Sequence, residues 1–393
     1  MNVAGPITAM SVVERARRAA AVASKHADDV DVQGRFPAEA VEAMKGERLL
    51  GMQIPTACGG EGASTAEIAE VCSILGQACA AAGMVFAMHQ IKLSSLVSHG
   101  QDAEWHQGFM RRVANEQLLV ASATTEGGIG GNLRNSICAL EVADGVARLE
   151  KDATVISYGR QADAIMVTSR SNPDAAASDQ MMTVFVKGQY TLDQTHVWDT
   201  MGMRGTCSDG FLFKGEAPAE QVLPKPFAEI AAQSMLANSH ILWSAVWYGI
   251  AADAVARAQA FVRGAARRAP GTVPPGALRL AEVSSDLQLV KSNVLSALQQ
   301  YDAAQRDEDK LSSMGFAVAM NNVKIASSQT ILSIINQCLL ICGILGYKNG
   351  TPFSLSRHLR DAHSAQLMIS NDRILGNTST MLLVNKQDTS LLG

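Results

Sequence analysis

Apolar positions fall into three regimes along the chain. In the first, over residues 1–117, they recur at helical spacing. Residues 11–27 (SVVERARRAAAVASKHA) predict an amphipathic helix rich in Ala and Arg. Phe36-Pro37 opens a second helix through residues 38–44, because the N–H that proline lacks has no partner in a first helical turn anyway. Residues 51–62 (GMQIPTACGGEG) predict a loop, and residues 64–97 predict a return to helix with small side chains that permit close packing. From residue 118 the runs shorten. Leu118-Leu119-Val120, a run opened by Lys151, and residues 164–167, 182–186 and 210–213 read as strands. Loops such as 171–179 and 215–218 separate them, which is the spacing of a small β-barrel or sandwich. Beyond residue 227 helical spacing resumes. No proline falls between Pro226 and Pro270 or between Pro275 and Pro352, and residues 286–302 and 317–343 carry apolar positions at helical intervals. Long helices with short connections predict an antiparallel four-helix bundle. The expected class is α+β: an N-terminal helical domain (1–117), a middle β-barrel or sandwich domain (118–226) and a C-terminal four-helix bundle (227–393).

The most informative stretch is residues 118–157, LLVASATTEGGIGGNLRNSICALEVADGVARLEKDATVIS. A strand-like run leads into Ser122, Thr124 and Thr125. Gly127-Gly128-Ile129-Gly130-Gly131 follows, where the backbone is free to take positive φ and approach a ligand closely. Successive free N–H groups in such a loop form an anion-binding nest. The second run, opened by Lys151, ends at Ile156-Ser157-Tyr158-Gly159. Two hydroxyl-bearing strand ends around a glycine loop suit a planar, phosphate-bearing cofactor. On pattern alone, a glycine-rich hairpin is the commoner explanation.

Composition narrows the class. With 393 residues, 47% hydrophobic and 18% charged, the chain has material for two or three domains and a large core, and a disordered protein is excluded. A net charge of −4 leaves no electrostatic footprint for nucleic acid, and the small clusters Arg15/Arg17/Arg18 and Arg263/Arg267/Arg268 read as solvated helix faces. The seven cysteines include no CxxC pair; Cys338 and Cys342 lie one helical turn apart in an apolar run, which fits packing better than metal binding, and no metal is expected. A reducing, cytoplasmic location is expected. Residues 1–18 lack the apolar core of a signal peptide. Residues 331–347 form the most apolar long run, but Asn336 and Gln337 interrupt it, so a buried core helix is expected and no membrane partner.

At the level of motifs the chain resembles the acyl-CoA dehydrogenase superfamily along almost its whole length. Residues 50–55 (LGMQIP) with Gly59-Gly60-Glu61-Gly62 are similar to the loop of that family's first helical domain. Thr125-Glu126-Gly127-Gly128-Ile129-Gly130-Gly131 resembles its TEPGAGS loop, and Val155-Ile156-Ser157 stands where a W-I-T/S strand meets the flavin. Residues 198–208 (WDTMGMRGTCS) resemble the strand that follows, and Arg360-Asp361-Ala362 resembles the RDA ahead of the last helix. The resemblance implies a flavin between the β domain and the C-terminal bundle: FAD, with FMN as the alternative. It also implies a cofactor-binding set of Ser122, Thr124, Thr125, Gly130, Gly131, Val155, Ile156 and Ser157. Thr125 and Ser157 would hydrogen-bond the isoalloxazine, and Gly130-Gly131 would lie against the pyrophosphate.

The chain departs from the family where a dehydrogenase needs a carboxylate to remove the substrate's α-proton. Counted from Arg360, the usual base position is Ile369; the alternative position, aligned on Gly249, is Ser239, followed by His240. The candidate catalytic residues are therefore Asp372 and His240, with His363 as a third, each with an ordinary structural role as its competitor. The cofactor's adenosine end is also altered: Arg267-Arg268-Ala269-Pro270-Gly271-Thr272 replaces R-x-T-F-G, and Leu339-Leu340-Ile341-Cys342-Gly343 replaces Q-x-x-G-G.

Three functions compete. The first is α,β-dehydrogenation of an acyl thioester, carried by CoA or a carrier protein, with FAD reduced and an electron acceptor to reoxidise it. The second is a monooxygenase of the same fold, which needs no α-proton base. That branch often carries a histidine eight residues past the arginine of the RDA-like motif, where this chain has Met368. The third is a non-catalytic partner, against which the glycine loop argues. The apolar residues of 317–343 predict a subunit interface, and the resemblance implies a homodimer or homotetramer.

Overall fold

The computed structural model describes residues 10–386 and Ser390. Residues 1–9, half of the stretch read as lacking a signal core, lie outside the described residues, as does most of the tail.

Helix α1 (Val12–Gln33) starts where Ser11 and Glu14 cap each other: Ser11 Oγ accepts from the Glu14 N–H at 3.3 Å, and Glu14 Oε2 accepts from the Ser11 N–H at 2.9 Å. Its alanines at 16, 19, 20, 23 and 27 are buried. Helix α2 (Ala38–Gly46) follows Pro37. The stretch expected as one helix over 64–97 is two, α3 (Thr65–Ala78) and α4 (Ala80–Gly100), broken at Cys79 in extended conformation (φ −154°, ψ 110°). The break folds α4 back on α3 so closely that a Cβ on Gly83 would stand 2.9 Å from the Gly76 nitrogen. Glycine at 76 also lets α3 approach the later bundle. Helix α5 (Glu104–Glu116) completes the helical region.

Seven strands follow: β1 (Val120–Ala123), β2 (Glu141–Ala143), β3 (Val146–Ala153), β4 (Ala164–Arg170), β5 (Gln180–Val186), β6 (Tyr190–His196) and β7 (Gly210–Pro218). They form two sheets, β1-β4-β5 with β1 parallel to β4, and an antiparallel β2-β3-β7-β6. The sheets meet at Phe185 and Phe213, whose rings pack edge to face with centroids 5.2 Å apart. The strand expected to open at Lys151 opens at Val146 and ends at Ala153. Residues 154–159 leave the sheet in a turn that holds Tyr158 at φ +44°. Alternation explains the difference: Ala147, Leu149, Lys151 and Ala153 all face inward, so a lysine occupies a core position and masks the strand's first half.

The C-terminal region begins with α6 (Phe227–Ile230) and a π-helical turn (Ala231–Met235) that runs into α7 (Leu236–Arg268). Then come α8 (Ala277–Ala304), α9 (Glu308–Leu311), α10 (Met314–Cys342), α11 (Ile344–Tyr347), α12 (Ser356–Leu367) and α13 (Asn371–Leu382). Helices α7, α8 and α10 pack together, and α12 and α13 return across α10. The run at 331–347 is not one buried helix. Gly343, at φ +56°, ends α10, and Leu340, Ile344 and Tyr347 are exposed. Both α4 and α10 are long and apolar enough to cross a membrane by length and composition, but 89% of the most apolar α4 window is buried inside the protein.

The RDA-like motif ties the three regions together. Arg360 pairs with Asp31 of α1, and the Asp361 carboxylate accepts from the Met203 N–H at 2.6 Å, which holds residues 198–208 against α12. Burial pushes the Asp361 carboxyl up to about 6.

Candidate functional site

The two predicted strand ends come together. Thr125, just past β1, donates its hydroxyl to the Val155 carbonyl at 3.2 Å and so bridges the two sheets. Ser157 Oγ lies 2.8 Å from Ser208 Oγ, which lies 2.8 Å from Thr206 Oγ1, a row of three hydroxyls. Ile156 is buried, and its N–H is taken by the Asp209 carbonyl at 2.8 Å. Ser122 and Thr124 are half-buried at the end of β1. Among the described residues, the backbone N–H groups of Thr125 and Ser157 donate to no backbone carbonyl. Two strand ends thus present unspent donors beside hydroxyls, which is what the acceptor-rich edge of an isoalloxazine requires.

The glycine loop has the backbone its sequence suggests, with Gly128, Gly130 and Gly131 at φ +84°, +57° and +72°. Its carbonyls meet a partner that the sequence did not suggest. Arg373, in the first turn of α13, donates to the Gly131 oxygen at 2.5 Å and to the Gly130 oxygen. The root of the loop is held by Glu126, which accepts from Ser136 Oγ (2.7 Å), Ile137 N–H (3.0 Å) and Cys138 N–H (2.6 Å). The inward Lys151 of β3 stands 3.5 Å from the same carboxylate and donates to the Thr168 carbonyl at 2.7 Å. Burial opposes ionisation of Glu126, but the Lys151 charge and the three hydrogen bonds outweigh it and hold the carboxyl below its ordinary value.

The Arg373 contact sets the α12–α13 turn beside this loop, and behind the turn lies a polar interior. Ile369, where counting from Arg360 places the expected base, is at φ +49°. Its carbonyl accepts from Lys324 Nζ at 2.8 Å; the same ammonium donates to Asn371 Oδ1 at 2.6 Å and sits over the Trp247 ring at 5.8 Å. Burial pushes Lys324 down to about 8. His240 Nε2 is 3.2 Å from Asn321 Oδ1, while Asn321 Nδ2 donates to Thr378 Oγ1 at 3.0 Å. With the Asn321 amide so oriented, the imidazole proton sits on Nε2 and Nδ1 is a bare acceptor, buried with no partner among the described residues. Burial, with the Lys324 charge adding to it, pushes His240 down to about 3. Trp243 Nε1, Ser244 Oγ and Trp247 Nε1 on the same helix are also buried without partners. The other two candidates lie elsewhere. His363 is exposed, and Asp372 is exposed in the first turn of α13, unpaired among the described residues because neighbouring Arg373 turns to the glycine loop. A cleft of about 490 Å³ lined by Arg148, Glu150, Tyr190 and Lys214 contains none of these groups.

Comparison with known proteins gives the family. Residues 9–117 match the model of the acyl-CoA dehydrogenase N-terminal domain, and residues 230–377 match that of the acyl-CoA dehydrogenase C-terminal domain. The chain belongs to the acyl-CoA dehydrogenase family. This acyl-CoA dehydrogenase family member is 27% identical over 353 residues to the amino sugar nitrososynthase DnmZ of Streptomyces peucetius, covering 86% of this chain and 84% of the relative. It is 22% identical over 353 residues to cyclohex-1-ene-1-carbonyl-CoA dehydrogenase of Syntrophus aciditrophicus (strain SB), covering 88% and 82%. Its fold matches FMN-bound TdsC from Paenibacillus sp. A11-2 with a TM-score of 0.84 at 16% identity, over 96% and 98% of the two chains. Membership makes it a flavoprotein oxidoreductase; the family's flavin is FAD, and the TdsC structure contains FMN.

Several residues of the interior escaped the motif reading, Lys324 and Arg373 above all. A signal for Lys324 exists: it is the only Asp, Glu, Lys or Arg in α10. A lone charge on an otherwise uncharged helix marks a residue chosen for its partners.

Proposed function

We propose that this family member uses reduced flavin and O2 to oxygenate an aromatic or enolic molecule, in place of α,β-dehydrogenation of an acyl thioester. The observation that carries the reading is the chemistry around Ile369 and His240. An isoleucine side chain takes no proton, and its carbonyl is engaged by an ammonium. His240, pushed down to about 3, is too weak a base near neutrality to take a proton from carbon. The buried carboxylates of the described residues, Asp31, Glu126 and Asp361, are committed to Arg360, Lys151 and the Met203 N–H. An oxygenation does not need the missing base.

In this reading the N–H groups of Thr125 and Ser157 and the hydroxyls of Ser122, Thr124, Thr125 and Ser157 hold the flavin ring, Val155 and Ile156 fix the strand end beneath it, and Gly130 and Gly131 lie against phosphate with the Arg373 charge beside them. The bound group supplies electrons and activates O2. His240 Nδ1 accepts a hydrogen bond from the substrate, Trp243, Ser244 and Trp247 offer further polar atoms, and the surrounding apolar core excludes water. The free thiols of all seven cysteines support a reducing, cytoplasmic setting.

The test supplies the FAD- or FMN-loaded protein with NADH and a flavin reductase. O2 uptake that depends on an aromatic or enolic compound, with one oxygen atom gained in the product by mass spectrometry, supports the reading. Anaerobic bleaching of the flavin by butyryl-CoA or another acyl thioester overturns it. One observation favours that second reading, dehydrogenation with an electron acceptor downstream: Asp372 opens α13 beside Arg373, which reaches the glycine loop.

A further inference from the structure

Helix α4 contains one Asp, Glu, Lys or Arg among its 21 residues, and that residue, Lys92, is buried. Among the described residues its ammonium reaches no carboxylate and no carbonyl, and its one polar contact is the Met235 thioether sulfur at 3.1 Å, among the weakest acceptors a side chain offers. Lys324, the other buried lysine of the helical core, shows what a satisfied one looks like, with a carbonyl and an amide oxygen both within 2.8 Å.

The surroundings of Lys92 are polar along one line. Lys92, Ser95 and His99 fall at i, i+3 and i+7 on one face of α4. That face meets the π-helical turn, where Ser234 Oγ lies 3.2 Å from His99 Nε2 and 3.4 Å from Ser95 Oγ. One turn on, Asn238 donates to the Ser234 carbonyl and to the Tyr301 hydroxyl, while its Oδ1 is buried with no partner. A π-helical turn is rare and recurs at functional sites; here it is the segment that carries Ser234 and Met235 to the α4 face.

The position relative to the candidate flavin edge follows from the same helix. Near its start, Ala81 packs against Gly205, next to the Thr206–Ser208–Ser157 hydroxyl row. Lys92 lies about 16 Å further along the axis at 1.5 Å per residue. An ammonium buried without a counter-charge is costly, and removing the charge or supplying an anion are the two remedies.

We infer that the interior between α4 and the π-helical turn binds the carboxylate of an elongated acidic substrate, with Lys92 as its counter-ion and the reacting end directed at the flavin edge. The inference rests on the small-molecule enzyme reading above and sharpens it to an acidic substrate class. Lys92 is a specificity-determining residue in this arrangement: it selects the anionic end and leaves the reacting end to the residues around Ser157.

The test measures binding without turnover, so its outcome is independent of which reaction the flavin performs. Hexanoate and its neutral counterpart hexanamide are titrated into the flavin-loaded protein at pH 6.5 by isothermal titration calorimetry, with wild type and Lys92→Met. The methionine is close in shape, and an unchanged flavin content reports an intact fold. Hexanoate is expected to bind wild type at least tenfold more tightly than hexanamide, and Lys92→Met to erase that preference. Equal binding of the two probes to wild type, or a preference that survives in Lys92→Met, overturns the assignment. The comparison of the two probes on wild type decides the matter even where the variant loses its flavin.

Discussion

Lys324 Nζ donates to the carbonyl oxygen of Ile369 at 2.8 Å, and Ile369 sits at φ +49°. A β-branched residue in the left-handed region is strained by about 1–2 kcal/mol, and here the strain falls at the position where the family's motif places a carboxylate. The lysine holds the turn in place from below. Lys324→Met is therefore expected to leave the Ile369 carbonyl without its donor, while Asn371 Oδ1 keeps Ser328 Oγ at 3.3 Å; a group left unsatisfied costs about 1–3 kcal/mol. Relief of the buried ammonium offsets part of this, so a net loss of about 1 kcal/mol is expected in urea unfolding. A Lys324→Met protein as stable as wild type would show that the ammonium does not hold the turn.

The pH dependence of stability follows from the buried histidines. His240 and His89 are pushed down to about 3 and about 4, mainly by burial. The unfolded chain, with histidine near 6.5, then binds more protons than the folded one below that pH. Their contribution is therefore complete above about pH 6.5 and is lost as pH falls towards 4, at about 1.4 kcal/mol per pH unit for each group. Asp361 runs the other way: raised to about 6, it favours the folded state as pH falls from 6 towards 3.8. From these three groups, the net loss on acidification is thus expected to build below pH 6.5 and to run between about pH 6 and 4.5 at roughly one histidine's slope, Asp361 offsetting the other. His240→Gln should flatten the wild-type curve by one group's slope between pH 6.5 and 4, measured by urea unfolding at half-unit steps. Parallel curves would mean that the imidazole is protonated in the fold.

How much of this was legible depended on which physical signal carried it. The α–β–α order followed from period and breakers, and the flavin motifs stood at strand ends and a glycine loop. Long-range partners were not legible. Glu126 and Lys151 are separated by a hairpin's length, and only the inward phase of β3 brings them together. Arg373 stands next to Asp372 in sequence, yet it serves a loop more than 240 residues away. The two helix breaks that were missed or misplaced, at Cys79 and Gly343, arise from tertiary packing and from a left-handed cap rather than from composition. The lone lysines of α4 and α10 were visible in the sequence, but their meaning required knowing that both helices are internal.

Glu126→Gln tests the root of the glycine loop. The variant keeps the shape but leaves Lys151, fully buried, without a counter-charge, and breaking one side of a buried pair costs about 3–5 kcal/mol. A lower melting temperature and weaker flavin binding are expected together. Adding Lys151→Met should restore stability more than flavin affinity, because the loop's three hydrogen bonds still lack their charged acceptor. Equal recovery of both would show that the carboxylate orders nothing beyond its lysine.

Thr125→Val and Ser157→Ala separate cofactor binding from folding. Thr125 gives one side-chain hydrogen bond, to Val155, and Ser157 one, to Ser208. Each loss should lower apoprotein stability by about 0.5–1.5 kcal/mol. Flavin affinity, followed by quenching of flavin fluorescence on titration with protein, should fall about tenfold in each variant, since the hydroxyls sit beside the free N–H groups of both strand ends. Unchanged affinity in both variants would remove the hydroxyls from the flavin site.

Among the described residues, the C-terminal helices leave Leu340, Ile344 and Tyr347 uncovered. Leu340, Ile344 and Tyr347 are 63%, 65% and 73% exposed, and the outward positions of α10 include Ala326, Ser333 and Asn336 without a single charge. Burying a leucine or isoleucine side chain that is otherwise in water contributes about 1.5–3 kcal/mol, and a symmetric pair of copies covers the same patch twice. Light scattering coupled to gel filtration should therefore give a homodimer or homotetramer at micromolar concentration. Leu340→Asp combined with Ile344→Asp should shift it towards monomer with the far-UV circular dichroism unchanged, since both side chains are outside the core. A wild-type monomer at every concentration would mean that this face meets water or a different protein, and the double variant would then leave the mass unaltered.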